Sequence, residues 1–142
     1  MKLPIYMDHH STTPVDPRVV EAMLPYFNDA FGNAASRSHA FGWRAEEAVD
    51  RAREQVASIV GGKSRDVVFT SGATESINLA LKGAMEYYRA KGDHAITNVI
   101  EHKATLDTCK RLEKTGHRVT YLKVPTSGIV DPDDVKAAID DK

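Results

Sequence analysis

The sequence predicts an α/β fold, a mainly parallel sheet flanked by helices. Two observations carry that prediction. From residue 66 onward, short apolar runs alternate with helical patterns in the order strand–helix–strand–helix–strand. The connections between them are short, which implies right-handed crossovers between strands that run the same way.

Residues 1–14 have no helical period. Leu3, Ile5 and Met7 alternate with Pro4, Tyr6 and Asp8, as in an extended arm or edge strand. His9-His10 is a poor metal pair, because adjacent residues on an extended chain point to opposite faces and no Cys or carboxylate cluster joins them. Asp16-Pro17 starts the first helix, with Asp16 as cap and Pro17 at the first helical position. Its buried face is expected to hold Val20, Met23, Leu24 and Phe27, with Pro25 kinking or shortening it. Gly32-Asn33 breaks the chain, and Ala34 to His39 reads as a polar loop.

A second helix is expected from about Phe41 to Val60, striped by Phe41, Ala45, Ala48, Ala52, Val56 and Val60 and closed by Gly61-Gly62. Asp66–Thr70 then reads as a strand. The central helix follows, with Ile77, Ala80, Leu81, Ala84, Met85 and Tyr88 on one face and an end near Gly92. His94–Ile100 is the next strand, and after Glu101-His102-Lys103 a helix runs to about Thr115, with Gly116 as its stop signal. Arg118–Val124 is a third strand, apolar enough to be buried on both faces. Asp131-Pro132 repeats the earlier capping device, and the last helix is expected to reach the C-terminus.

In a parallel sheet, ligands bind at the carboxyl ends of the strands. Two stretches leave strands there. In Ser71-Gly72-Ala73-Thr74-Glu75 the first helical amides lack intrahelical partners and the helix dipole adds partial positive charge. Gly72 admits a ligand to the backbone, the Ser71 and Thr74 hydroxyls add donors, and a phosphate would fit. The same residues are also ordinary helix caps, and the turn alone does not separate the two readings. The second stretch is Glu101-His102. His102 could stack on a ring or move a proton, or it could simply cap the helix that follows.

Composition excludes several other classes. The chain has 142 residues, 42% of them apolar and 27% charged, as expected of a soluble domain with its own core. A net charge of −1 gives no reason to expect a nucleic-acid or membrane surface. No apolar run is long enough to span a bilayer, and Met1 to Tyr6 lacks the apolar core of a signal peptide. The single cysteine, Cys109, shares core spacing with Leu106 and Leu112, which predicts a buried small hydrophobe rather than a nucleophile. One cysteine also suits a reducing compartment, so the expected location is cytoplasmic. No metal site is expected.

Four segments together resemble the NifS/IscS-like cysteine desulfurases. They are Tyr6-Met7-Asp8-His9-His10-Ser11-Thr12-Thr13-Pro14-Val15-Asp16-Pro17, Gly32-Asn33-Ala34-Ala35-Ser36-Arg37-Ser38-His39, Phe69-Thr70-Ser71-Gly72-Ala73-Thr74-Glu75-Ser76-Ile77-Asn78 and Glu101-His102-Lys103-Ala104. Their order and spacing match over essentially the whole chain. The Ser-Gly-Ala-Thr-Glu-Ser form is similar to the iron–sulfur-cluster branch.

The resemblance implies the N-terminal part of the large domain of fold-type I pyridoxal-phosphate (PLP) enzymes, with residues 1–14 as an arm and 15–142 as a partial PLP-binding domain. It implies a homodimer, or a companion chain carrying the remaining domain. The implied reaction turns L-cysteine into L-alanine and passes the sulfur, as a persulfide, to acceptor and iron–sulfur scaffold proteins. Gly72, Ala73 and Thr74 would hold the cofactor phosphate, and His102 would stack on the pyridine ring and assist proton transfer.

The resemblance also marks what is absent. The family's cofactor lysine follows Ser-x-His, and no Ser-x-His-Lys occurs here. The pyridinium-pairing aspartate, the sulfur-accepting cysteine and the substrate arginine belong to later parts of the family's chain. Neither Cys109 nor Lys103 stands in the right motif to replace them. These 142 residues alone are therefore expected to be inactive. Two other readings are a different fold-type I lyase or aminotransferase, and a non-catalytic module that binds PLP or a partner subunit.

Overall fold

The computed structural model describes residues 4–140. The expectations for Leu3 and for a helix reaching Lys142 fall partly outside them. The chain divides between Val68 and Phe69 into two compact units.

The first unit holds α1 (Pro17–Asn28), α2 (Ala40–Val60) and a 3-10 turn at Ser64–Asp66. The Asp16 carboxylate accepts the Arg18 amide at 2.8 Å, with Pro17 at the first helical position as expected. Pro25 does not end α1, which continues to Asn28. Val20, Met23, Leu24 and Phe27 share a face but remain exposed, because no described element covers them. On α2, Ala45 and Ala57 are buried while Phe41, Val56 and Val60 of the expected stripe are exposed. Gly61 ends the helix in the left-handed region (φ 66°), and the amides of Gly61 and Gly62 both return to the Ala57 carbonyl.

The strand expected at Asp66–Thr70 does not form. Ser64–Asp66 is the 3-10 turn, and Val67 is extended (φ −90°, ψ 123°). Residues 67–70 lie in no strand ladder among the described residues. Extended backbone becomes a strand only when a neighbouring strand takes its amides and carbonyls; among the described residues no strand does so here, and the Val67 carbonyl accepts the Arg53 guanidinium instead.

The second unit holds α3 (Ala73–Tyr87), β1 (His94–Asn98), α4 (Lys103–Lys114), β2 (Arg118–Leu122) and α5 (Pro132–Ala138). β1 and β2 are parallel, in register from His94 opposite Arg118 to Asn98 opposite Leu122, with α4 as the crossover. Among the described residues the sheet has two strands, where the sequence predicts three. β2 is half-buried rather than enclosed on both faces. α3 stops at Tyr87, five residues before Gly92, and a turn follows in which the amides of Lys91 and Gly92 both meet the Tyr88 carbonyl. Gly116 takes a left-handed conformation (φ 90°) beyond α4, where the sequence placed the stop.

The core of this unit lies between α4 and the sheet. Thr108, Cys109, Leu112 and His117 are buried there. α3 packs along α4. At the amino ends of the strands, Arg118 ties Asp93 at 2.9 Å to Asp140 at 2.5 Å. The buried His94 ring meets Thr120 Oγ1 through Nε2 and faces Asp140 through Nδ1. Asp140, beyond α5, is thereby tied to the strand starts, the opposite end of β1 from the one that leads to His102.

Candidate functional site

The turn before α3 is built by its own side chains. Gly72 is the N-cap and supplies no capping side chain. Its φ of 158° and ψ of 178° fall in a region that only glycine occupies readily, and a Cβ there would meet nothing within 4 Å. Ala73, Thr74 and Glu75 are the first three helical residues, and Ser76 donates the first intrahelical bond, to the Gly72 carbonyl. The amides of Gly72, Ala73, Thr74 and Glu75 donate to no protein acceptor among the described residues. Exposed helix-start amides of this kind are the donor type that anions take up.

One expected donor is already engaged. The Ser71 hydroxyl donates to the Glu75 carboxylate at 2.6 Å, and the Ser71 amide reaches the same oxygen at 2.6 Å. Those two bonds hold the Glu75 carboxyl below its ordinary value, the hydroxyl contributing most. The Thr74 hydroxyl has no such partner among the described residues. The sequence places Glu75 at the end of the turn and assigns its carboxylate no role. The signal for Glu75 was its place as third helical residue, from which a glutamate reaches back over a helix start.

His102 is the N-cap of α4, and its Nδ1 accepts the Ala104 amide at 3.1 Å. That bond requires an unprotonated Nδ1, so the neutral ring carries its proton on Nε2. The residue is exposed, and Nε2 has no described protein partner. Capping therefore occupies one edge of the ring and leaves the faces and Nε2 free. Asn98 folds the chain from β1 into this cap, its Oδ1 accepting the Ile100 amide at 3.0 Å and its amide reaching Glu101 at 3.2 Å.

Gly72, Ala73 and Thr74 are exposed and consecutive at the start of α3, and His102 starts the helix that packs beside α3. Cys109 is buried, and burial, with Glu113 and Glu101 nearby, raises its thiol above the usual range. No group of three or more His, Cys, Asp or Glu residues is placed to hold a metal among the described residues.

Residues 5–142 match the aminotransferase class-V family. The chain belongs to that family. The class-V chain is 60% identical over 139 residues to the cysteine desulfurase IscS of Anaeromyxobacter sp. (strain K). It is 59% identical over 143 residues to the IscS of Photorhabdus laumondii. These alignments cover 98% and 99% of this chain but only 34% and 35% of the relatives, so the chain spans about a third of their length. Among solved structures it superposes on a NifS-like protein with a TM-score of 0.88 at 38% identity, covering 96% of this chain and 37% of that one. An SspA structure in complex with cysteine gives 0.87 at 40% identity, covering 95% and 39%. The fold is thus that of NifS-like fold-type I enzymes, and the expected resemblance to cysteine desulfurases holds across the chain. No helix of the described residues is long and apolar enough to cross a membrane.

Proposed function

We propose that this chain is the N-terminal, phosphate-binding part of a PLP-dependent cysteine desulfurase. The full-length protein would convert L-cysteine to L-alanine and pass sulfur as a persulfide to acceptor proteins for iron–sulfur cluster assembly. The observation that carries the reading is the α3 start, where the amides of Gly72 to Glu75 are unclaimed and no side chain caps the helix. Its chemistry fits the phosphate end of PLP, with charge-assisted bonds from the amides and the Thr74 hydroxyl. The identity to IscS enzymes points to the substrate and reaction.

Within this reading Gly72, Ala73 and Thr74 hold the phosphate, and Gly72 keeps the approach open. His102 lays a ring face against the pyridine and offers Nε2 for holding or passing a proton, its orientation fixed by the Nδ1 bond to Ala104. PLP, when bound, supplies the electron sink that makes bonds at the substrate's α-carbon labile. The lysine, aspartate, cysteine and arginine of the family pattern come from the remainder of the full-length protein, and these 142 residues do not turn over alone. Residues 1–14 serve as an arm and 15–142 as part of the PLP domain of a cytoplasmic homodimer.

The test is equilibrium dialysis of the chain against PLP and against pyridoxal, which lacks the phosphate. PLP should bind more tightly, and Thr74→Ala should remove part of that preference while leaving helix content unchanged. Equal affinity for the two compounds refutes the phosphate assignment. In the full-length protein, L-cysteine should yield L-alanine and reducible sulfur. A keto acid product would assign it as an aminotransferase instead.

A further inference from the structure

Glu75 is bonded in a way that an ordinary cap does not require. As the third residue of α3 it would commonly reach back to the amide of the N-cap residue. It bypasses Gly72 and takes the amide and hydroxyl of Ser71 instead, at 2.6 Å each. On the other flank, the Thr70 hydroxyl donates to the Gly72 carbonyl at 3.2 Å and lies 2.6 Å from the Ser76 hydroxyl. The Ser71-Gly72 pair is thus tied from both sides. The backbone amides that face outward, from Gly72 to Glu75, keep no described protein acceptor. The Glu75 carboxylate is directed onto Ser71 and takes none of the amides from Gly72 to Glu75.

We propose that Glu75 is a positioning residue for the phosphate turn: its carboxylate clasps Ser71 and so holds Gly72 in the glycine-only conformation that leaves four successive amides open to a phosphate dianion. The proposal rests on the phosphate reading given above. Gly72 has no Cβ contacts to fix its backbone, so its conformation is set by the neighbours that are tied down. Without the clasp the turn samples other conformations, and the ligand must order it on binding. The carboxylate itself does not touch the phosphate.

The experiment compares the wild-type chain with Glu75→Ala and Glu75→Gln, using PLP and pyridoxal as probes in equilibrium dialysis and amide exchange at Ser71 as an independent readout. Alanine is a strong helix former at an exposed site, so the helix is retained. Glu75→Ala should weaken PLP by about tenfold, the loss expected of a charge-assisted pair of bonds, without changing pyridoxal binding. Its Ser71 amide should exchange faster. Glu75→Gln still presents an oxygen to Ser71 and should stay within about threefold of wild type. If wild type prefers PLP while Glu75→Ala binds it as tightly or more tightly, the positioning role is refuted and the phosphate reading stands. Equal losses in both variants also refute it, because an oxygen kept at that position then fails to hold the turn. A wild-type chain with no preference for PLP over pyridoxal removes the phosphate reading, and the role of Glu75 with it.

Discussion

Substituting Gly42 by alanine should destabilise the first unit, although alanine is the better helix former. Gly42 lies in the first turn of α2 under the Asn33–His39 loop. A Cβ on it would stand 1.7 Å from the Ser36 carbonyl oxygen and 2.7 Å from the Ser36 carbonyl carbon. Ordinary contact begins at 3.4 Å, so one backbone segment must move by 3.4 − 1.7, about 1.7 Å. That loop is not free to move. The Ala35 amide is held by the Asn33 side chain at 2.9 Å, the Trp43 indole donates to the Arg37 carbonyl at 2.7 Å, and His39 caps α2 through the Gly42 amide at 3.2 Å. Overpacking against backbone costs about 3 kcal/mol at the upper end of its usual range, against about 1 kcal/mol gained in helix propensity. The net loss should be about 2 kcal/mol. Trp43 is the only tryptophan and sits on the affected contact, so its fluorescence in a urea titration follows the loss directly. An unchanged or raised midpoint, with unaltered Trp43 emission, would refute the argument.

Three further outcomes follow from the other unit. Gly83 lies inside α3 with nothing within 4 Å of a Cβ, so Gly83→Ala should raise stability by about 0.5–1 kcal/mol in a denaturant titration followed by circular dichroism. The same substitution thus changes sign with its surroundings. Cys109 has a raised pKa, so its thiol stays protonated at mildly alkaline pH; alkylation should be far slower than for a free cysteine and should reach that rate on unfolding. Fast alkylation of the folded chain contradicts its burial. Glu75 has a lowered pKa, so its clasp contributes stability above the ordinary glutamate value and loses it as pH falls through the depressed one. An NMR titration of its carboxyl should show a midpoint below the usual range, and a normal midpoint counts against the two Ser71 bonds.

Local chemistry was legible in the sequence. Asp16-Pro17, Asp131-Pro132, Gly61 and Gly116 each place a helix boundary where the structure has one, because caps act over a few residues. Cys109 is buried as its spacing with Leu112 implied. What failed was anything that depends on a distant neighbour. Val67 to Thr70 has the composition of a strand, yet pairing needs a partner that apolar content does not supply. The apolar face of α1 formed as a stripe but remained exposed for the same reason. At the site, the spacing of Ser71 and Glu75 was visible, but not that the carboxylate would consume the hydroxyl read as a ligand donor. The sequence does not separate capping from ligand contact at His102, and its two ring nitrogens make these roles compatible.

The connectivity of β1, α4 and β2 bears on the order in which this chain folds. The three elements are consecutive from His94 to Leu122, and α4 bridges the paired strands as well as filling the space above them. Closing such a short loop loses little chain entropy, and each contact made brings the next pair of residues together. This segment is therefore the natural nucleus. The Asn98 turn forms as part of it, so the cap that orients His102 is fixed early, whereas the Gly72 turn, which lies outside the segment, settles later. In pulse-labelled hydrogen exchange, the β1 and β2 amides should gain protection before those of the first turns of α3.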